Sequence, residues 1–118
     1  MKKLLLCCLL MAVSSSALAS KCYIREYSDQ GTSGSGVAPV AREPALIDQT
    51  PVDFSGGVAS SAAFNASTTL IRVWCDVQAS FVIGASPTAA NTNSPIGAST
   101  PEYFGVRPGH KISFIGNP

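Results

Sequence analysis

The clearest pattern in the chain runs from Thr68 to Val77 (TTLIRVWCDV), where the residue character changes at every step. Ile71, Val73, Cys75 and Val77 fall on one side of a two-residue period. Leu70, Arg72, Trp74 and Asp76 fall on the other. Successive side chains of a strand point to opposite faces, so this stretch predicts a half-buried strand with the first set facing a core. Cys22 to Tyr27 (CYIREY) alternates in the same way, with Tyr23, Arg25 and Tyr27 on one face and Ile24 and Glu26 on the other.

Shorter signals surround these two. Ala45 to Phe54 (ALIDQTPVDF) reads as a strand interrupted at Pro51, whose missing N–H confines it to an edge or a bulge. Val58 to Phe64 reads as a thin strand of small residues. Ala79 to Gly84 (ASFVIG) reads as a strand pairing with the one before it. Ser28 to Gly36 (SDQGTSGSG) reads as a flexible loop, and Pro39 and Pro44 keep the next stretch irregular. Ala85 to Thr100 reads as a long polar loop offering a contact surface. Glu102 to Val106 and Lys111 to Ile115 read as a closing hairpin around Arg107-Pro108-Gly109-His110. There Pro108 and Gly109 suit the two central positions of a type II turn. No sustained helical period occurs after residue 19. The expectation is an all-β chain, a single small β-sandwich or jelly-roll-like barrel over residues 20–118.

The first nineteen residues are different. Lys2 and Lys3 precede an apolar run, Leu4 to Val13, followed by three serines and Ala17-Leu18-Ala19. Charge, apolar core and small residues in that order predict a helical signal-like segment ending at Ala19. The apolar run is too short to span a bilayer, which needs ~20 residues. Removing this segment also removes two of the eight basic residues, so six face seven acidic ones. No basic field remains to hold nucleic acid. Cys7 and Cys8 leave as well. Cys22 and Cys75 then form an isolated pair, either bridged in an oxidising compartment or present as two separate thiols.

The residues offer little chemistry. A Ser–His–Asp site would have to use His110, the only histidine, which stands beside a turn glycine. Cysteine–histidine catalysis fails because Cys75 falls on the inward face. The seven acidic residues show no close pair in an apolar setting, and no phosphate-binding loop, cofactor motif or metal-ligand spacing occurs. The expectation is a protein that is not an enzyme and takes no cofactor, metal or small-molecule substrate. Trp74, Tyr103, Phe104, Arg107 and His110 are the candidate partner contacts, since aromatic and basic side chains there have no other evident use.

Several stretches in order, CYIREYSDQG, VAREPALIDQTPV, SSAAFNASTTLIRVWCDVQASFVIGASPTA and PEYFGVRPGHKISFI, resemble small β-rich accessory virion proteins of tailed bacteriophages. The resemblance spans Cys22 to Ile115. It implies a non-enzymatic structural role in the particle, as a capsid decoration or minor head-associated protein. The implied partners are the major capsid protein, other virion proteins and further copies of the chain. The signal-like segment points elsewhere: to an exported periplasmic or surface β-sandwich that binds a partner and carries a Cys22–Cys75 disulfide.

Overall fold

The computed structural model describes residues 20–117, which are all-β. The signal-like segment lies outside the described residues. Among the described residues eleven strands occur in chain order. They are β1 (Lys21–Tyr27), β2 (Gln30–Ser33), β3 (Gly36–Ala41), β4 (Ile47–Asp48), β5 (Val52–Asp53) and β6 (Ala59–Ser60). Then come β7 (Leu70–Cys75), β8 (Ala79–Gly84), β9 (Ser94–Ile96), β10 (Glu102–Gly105) and β11 (Lys111–Gly116).

The two alternating stretches form the centre of the first sheet. β1 and β7 pair antiparallel from Cys22 opposite Cys75 to Tyr27 opposite Leu70. β10 lies on the far side of β7. The other side of β1 is shared by β4 and β5, which meet its two ends and are separated at Gln49–Pro51. Pro51 therefore falls at the predicted break. The second sheet has the order β6-β11-β8-β9. The inward residues of both sheets share one core: Ile24, Ile71 and Val73 from the first, Ile112, Phe114 and Ile96 from the second, with Phe54 and Phe64 from connecting segments. Phe54 stands 6.1 Å from Phe114, and Phe81 of β8 stands 4.9 Å from Phe104 of β10, centroid to centroid. Burying each such side chain contributes about 1.5–3 kcal/mol, which is what joins the two sheets.

Several expectations need correction. β8 does not pair with β7; it lies in the other sheet, because β7 already has β1 and β10 on its two edges. For the same reason the closing hairpin is an arch. β10 belongs to the first sheet and β11 to the second. The turn itself forms as expected: His110 N–H donates to Arg107 O at 3.2 Å, and Gly109 has φ +79°. Gly109 N–H and His110 O then bond to Phe64 on the neighbouring chain segment, at 2.9 and 2.8 Å.

The expected loop from Ser28 to Gly36 and the irregular stretch at Pro39 instead contain two strands. β2 and β3 form a two-stranded ribbon turning at Gly34-Ser35, with Pro39 inside β3. The thin strand shrinks to Ala59–Ser60. The long polar loop is partly structural. It contains β9, buries Ile96 completely and crosses the second sheet, where Ser113 Oγ accepts from Ala89 N–H at 2.9 Å. Ser113 is thus as fully buried as Ile112 and Phe114 on either side of it.

Candidate binding face

The outward residues of β1, β7 and β10 are set in rows by the strand register. One row pairs Trp74 with Tyr23, their rings 5.6 Å apart and tilted 59°. The next row reads Tyr103, Arg72, Arg25 and Asp48 across four strands. Tyr23 and Tyr103 are each more than two-fifths exposed, whereas Trp74 and Arg72 are half-buried.

Arg25 and Arg72 stand directly opposite each other, an unfavourable placement for like charges. The two are treated differently by their surroundings. Arg25 donates from Nε to Asp48 at 2.6 Å and from Nη1 to Glu43 at 3.1 Å. The Asp48 hydrogen bond, with the nearby Tyr27 and the two carboxylates, holds its guanidinium even further above ordinary pH. Arg72 has no carboxylate partner among the described residues. One row further along, Tyr27 is buried under this cluster. Its hydroxyl donates to Glu43 at 2.8 Å, and burial followed by that bond pushes the phenol up to about 12.

Two of the predicted contacts, Trp74 and Tyr103, lie on this face. Phe104 does not: alternation turns it inward, against Phe81 and the core. Arg107 and His110 lie beyond Gly105, past the Leu70 end of β7, while Trp74 is near the opposite end. The predicted contacts therefore divide between two places.

Cys22 and Cys75 are bonded to each other. They face directly across β1 and β7 with Cα atoms 4.0 Å apart, the close approach of a non-hydrogen-bonded antiparallel pair. Both are fully buried. This pairing closes a sequence separation of 53 residues and joins the two central strands of the first sheet near one end.

The inward face holds one group that sequence reasoning did not single out. Glu26 is 1% exposed. Its Oε1 accepts from Thr68 Oγ1 and from Asn65 N–H, both at 2.7 Å, and its Oε2 accepts from Gln49 Nε2 at 2.9 Å. Gln49 in turn donates to Ala62 O and accepts from Ala62 N–H. A carboxylate placed among Ile24 and its neighbours was the available signal, since a charge on an apolar face must find donors. Glu26 also borders a groove of about 580 Å³ between the β4–β5 side of the first sheet and the β6 side of the second. Its bonds clasp the segments on both sides of that groove, so its role is to close the fold.

Among the described residues no three metal-ligating side chains come together. His110 accepts the Phe64 N–H at its backbone carbonyl, and its ring forms no ion pair among the described residues. No protein-family model, no curated protein and no solved structure matches this chain.

Proposed function

We propose that this chain is an exported, disulfide-bridged β-sandwich that acts by binding, through the outer face of its first sheet, and performs no chemistry of its own. The observation that carries this reading is the buried Cys22–Cys75 bond. A bond of this kind persists in an oxidising compartment and is rare in the cytosol. The order of charged, apolar and small residues before Ser20 fits the same route. The test is direct. Expression of the full chain with its first residues intact, followed by N-terminal sequencing and thiol counting in denaturant, should give a start at Ser20 and no free thiol. A retained Met1 with two reactive thiols at Cys22 and Cys75 would overturn it.

A second reading keeps the phage virion, with the chain as a decoration or minor head-associated protein beside the capsid protein. The β2–β3 ribbon favours it. The ribbon carries no charged residue, exposes Val37 and Val40 and pairs with no other strand. Isolated two-stranded ribbons are marginal in water, so one that recurs in a particle would rest on a neighbouring subunit. Mass spectrometry of purified particles decides: absence of the chain removes this reading.

A further inference from the structure

The outer face of the first sheet carries enough detail to name the chemistry of its ligand, given the binding role proposed above. β7 and β1 each have strands on both sides, so their backbone groups are already engaged and no strand can be added there; the outer edges of the sheet are those of β10 and of β4 and β5. Across the face itself, recognition uses side chains. The accessible groups are the Tyr23–Trp74 ring pair, the Tyr103 ring and the Arg72 guanidinium. They span three strands and two rows, about 10 by 7 Å from the spacing of strands and residues. That is the width of one or two sugar rings and far below the ~800 Å² that a protein partner covers.

Charge narrows the choice further. Asp48 and Glu43 flank the face on the β4 side and neutralise Arg25. Asp76 bounds the Trp74 end, accepting from the backbone N–H of Lys21 at 2.8 Å. Lys21 and Arg72 both lack an ion pair among the described residues, but Lys21 stands between Asp53 and Asp76, so Arg72 is the positive charge of this face with no acidic residue opposite it. The face therefore accepts one negative group and repels a run of them, which disfavours nucleic acid and acidic peptides.

We propose that the Tyr23, Trp74, Arg72 and Tyr103 platform binds a glycan through one acidic sugar residue, a uronate or a sialate. The sugar carboxylate meets Arg72, where a planar guanidinium makes paired charge-assisted hydrogen bonds. The apolar face of the pyranose lies on the exposed rings, and the two tyrosine hydroxyls reach its own hydroxyls.

Trp74 is the only tryptophan in the chain, so its emission reports this face alone. The bridged full chain is titrated with 3′-sialyllactose, with a glucuronyl-galactose disaccharide, with lactose and with a hexaglutamate peptide. A saturable change with at least one acidic sugar is expected, with lactose at least about tenfold weaker, the worth of a charge-assisted hydrogen-bond pair. Arg72→Gln should fall to the lactose level. That variant removes a like-charge pair and is expected to fold, which near-ultraviolet circular dichroism verifies. No saturation by either acidic sugar overturns the proposal. So does equal binding by lactose or by folded Arg72→Gln, or tighter binding of hexaglutamate. These failures would leave the exported-module reading intact, because that reading stands or falls on the bridge and the N-terminus.

Discussion

Thr68 Oγ1 donates to Glu26 Oε1 at 2.7 Å, across 42 residues and entirely inside the protein. Among the described residues the carboxylate has three donors and no cation partner. Removing it orphans the buried Thr68 hydroxyl and takes one partner from the part-buried Asn65 N–H and Gln49 amide. Glu26→Ala should cost about 2–4 kcal/mol, because a buried donor left unpaired costs about 1–3 kcal/mol and the part-buried ones, which water from the groove reaches, add less. Thr68→Val should cost about 1–3 kcal/mol, since Glu26 keeps its other donors. Urea unfolding of both variants and their double mutant gives the coupling. Additive effects would mean that the two side chains do not act together.

The Cys22–Cys75 bond shortens the unfolded chain by a loop of about 53 residues. On the chain-entropy account that is worth about 4 kcal/mol. Cys22→Ala with Cys75→Ala should lower unfolding stability by that order, and addition of a reductant to the native chain should act slowly because both sulfurs are buried. Equal urea midpoints for the bridged chain and the double variant would count against a structural role for the bond.

Tyr27 sets the behaviour at high pH. Its phenol is held up to about 12, above the ordinary value of 10.0, first by burial and then by its bond to Glu43. The folded state therefore keeps a proton that the unfolded state releases. This contribution is complete below pH 10 and is lost as pH rises from 10 to about 12. Unfolding free energy should decline across that window, and Tyr27→Phe should flatten the decline. An unchanged slope in Tyr27→Phe would assign it to other groups.

Tyr103 and Phe104 are adjacent and face opposite ways. Phe104→Ala should cost about 3–5 kcal/mol by emptying a place against Phe81. Tyr103→Ala should change stability by under about 1 kcal/mol, as expected of an exposed side chain. Thermal unfolding of the two variants separates them. Reversed costs would place β10 one residue out of register with β7.

Gly109 holds φ at +79° with open space where a Cβ would stand. Gly109→Ala should therefore cost about 1–2 kcal/mol through backbone strain and without a clash. Gly34→Ala, at a turn position with no such φ, is the control. Similar losses at both sites would point away from the turn geometry.

Much of this was legible before any fold was known. The alternation in β7 placed Ile71, Val73 and Cys75 inward and Trp74 and Arg72 outward, and in β1 it separated Ile24 from Tyr23 without saying which side meets the core, because a strand fixes alternation but not burial. The turn at Pro108-Gly109 was equally local. The ribbon was missed because glycine and serine give no packing signal, and a ribbon resting on nothing needs none. Ser113 alternates with the buried Ile112 and Phe114 and would face away from the core, yet the segment around Ala89 covers it. Glu26 stood in plain view, but its partners are 23 to 42 residues away.

The sequence by itself determined which residues share a face, the break at Pro51 and the all-β character, since each depends on neighbours within a few positions. Only the tertiary structure decided which strand lies beside which. A type II turn looks the same whether the chain doubles back in one sheet or crosses to another. Here β7 has both edges taken, by β1 and β10, so β8 crosses to the second sheet, and β11 follows β10 across. That crossing brings Phe81 against Phe104 and leaves Arg72 uncompensated on the open face between Tyr103 and a paired Arg25. No local pattern could have shown it, because the reason is competition for strand edges across the whole chain.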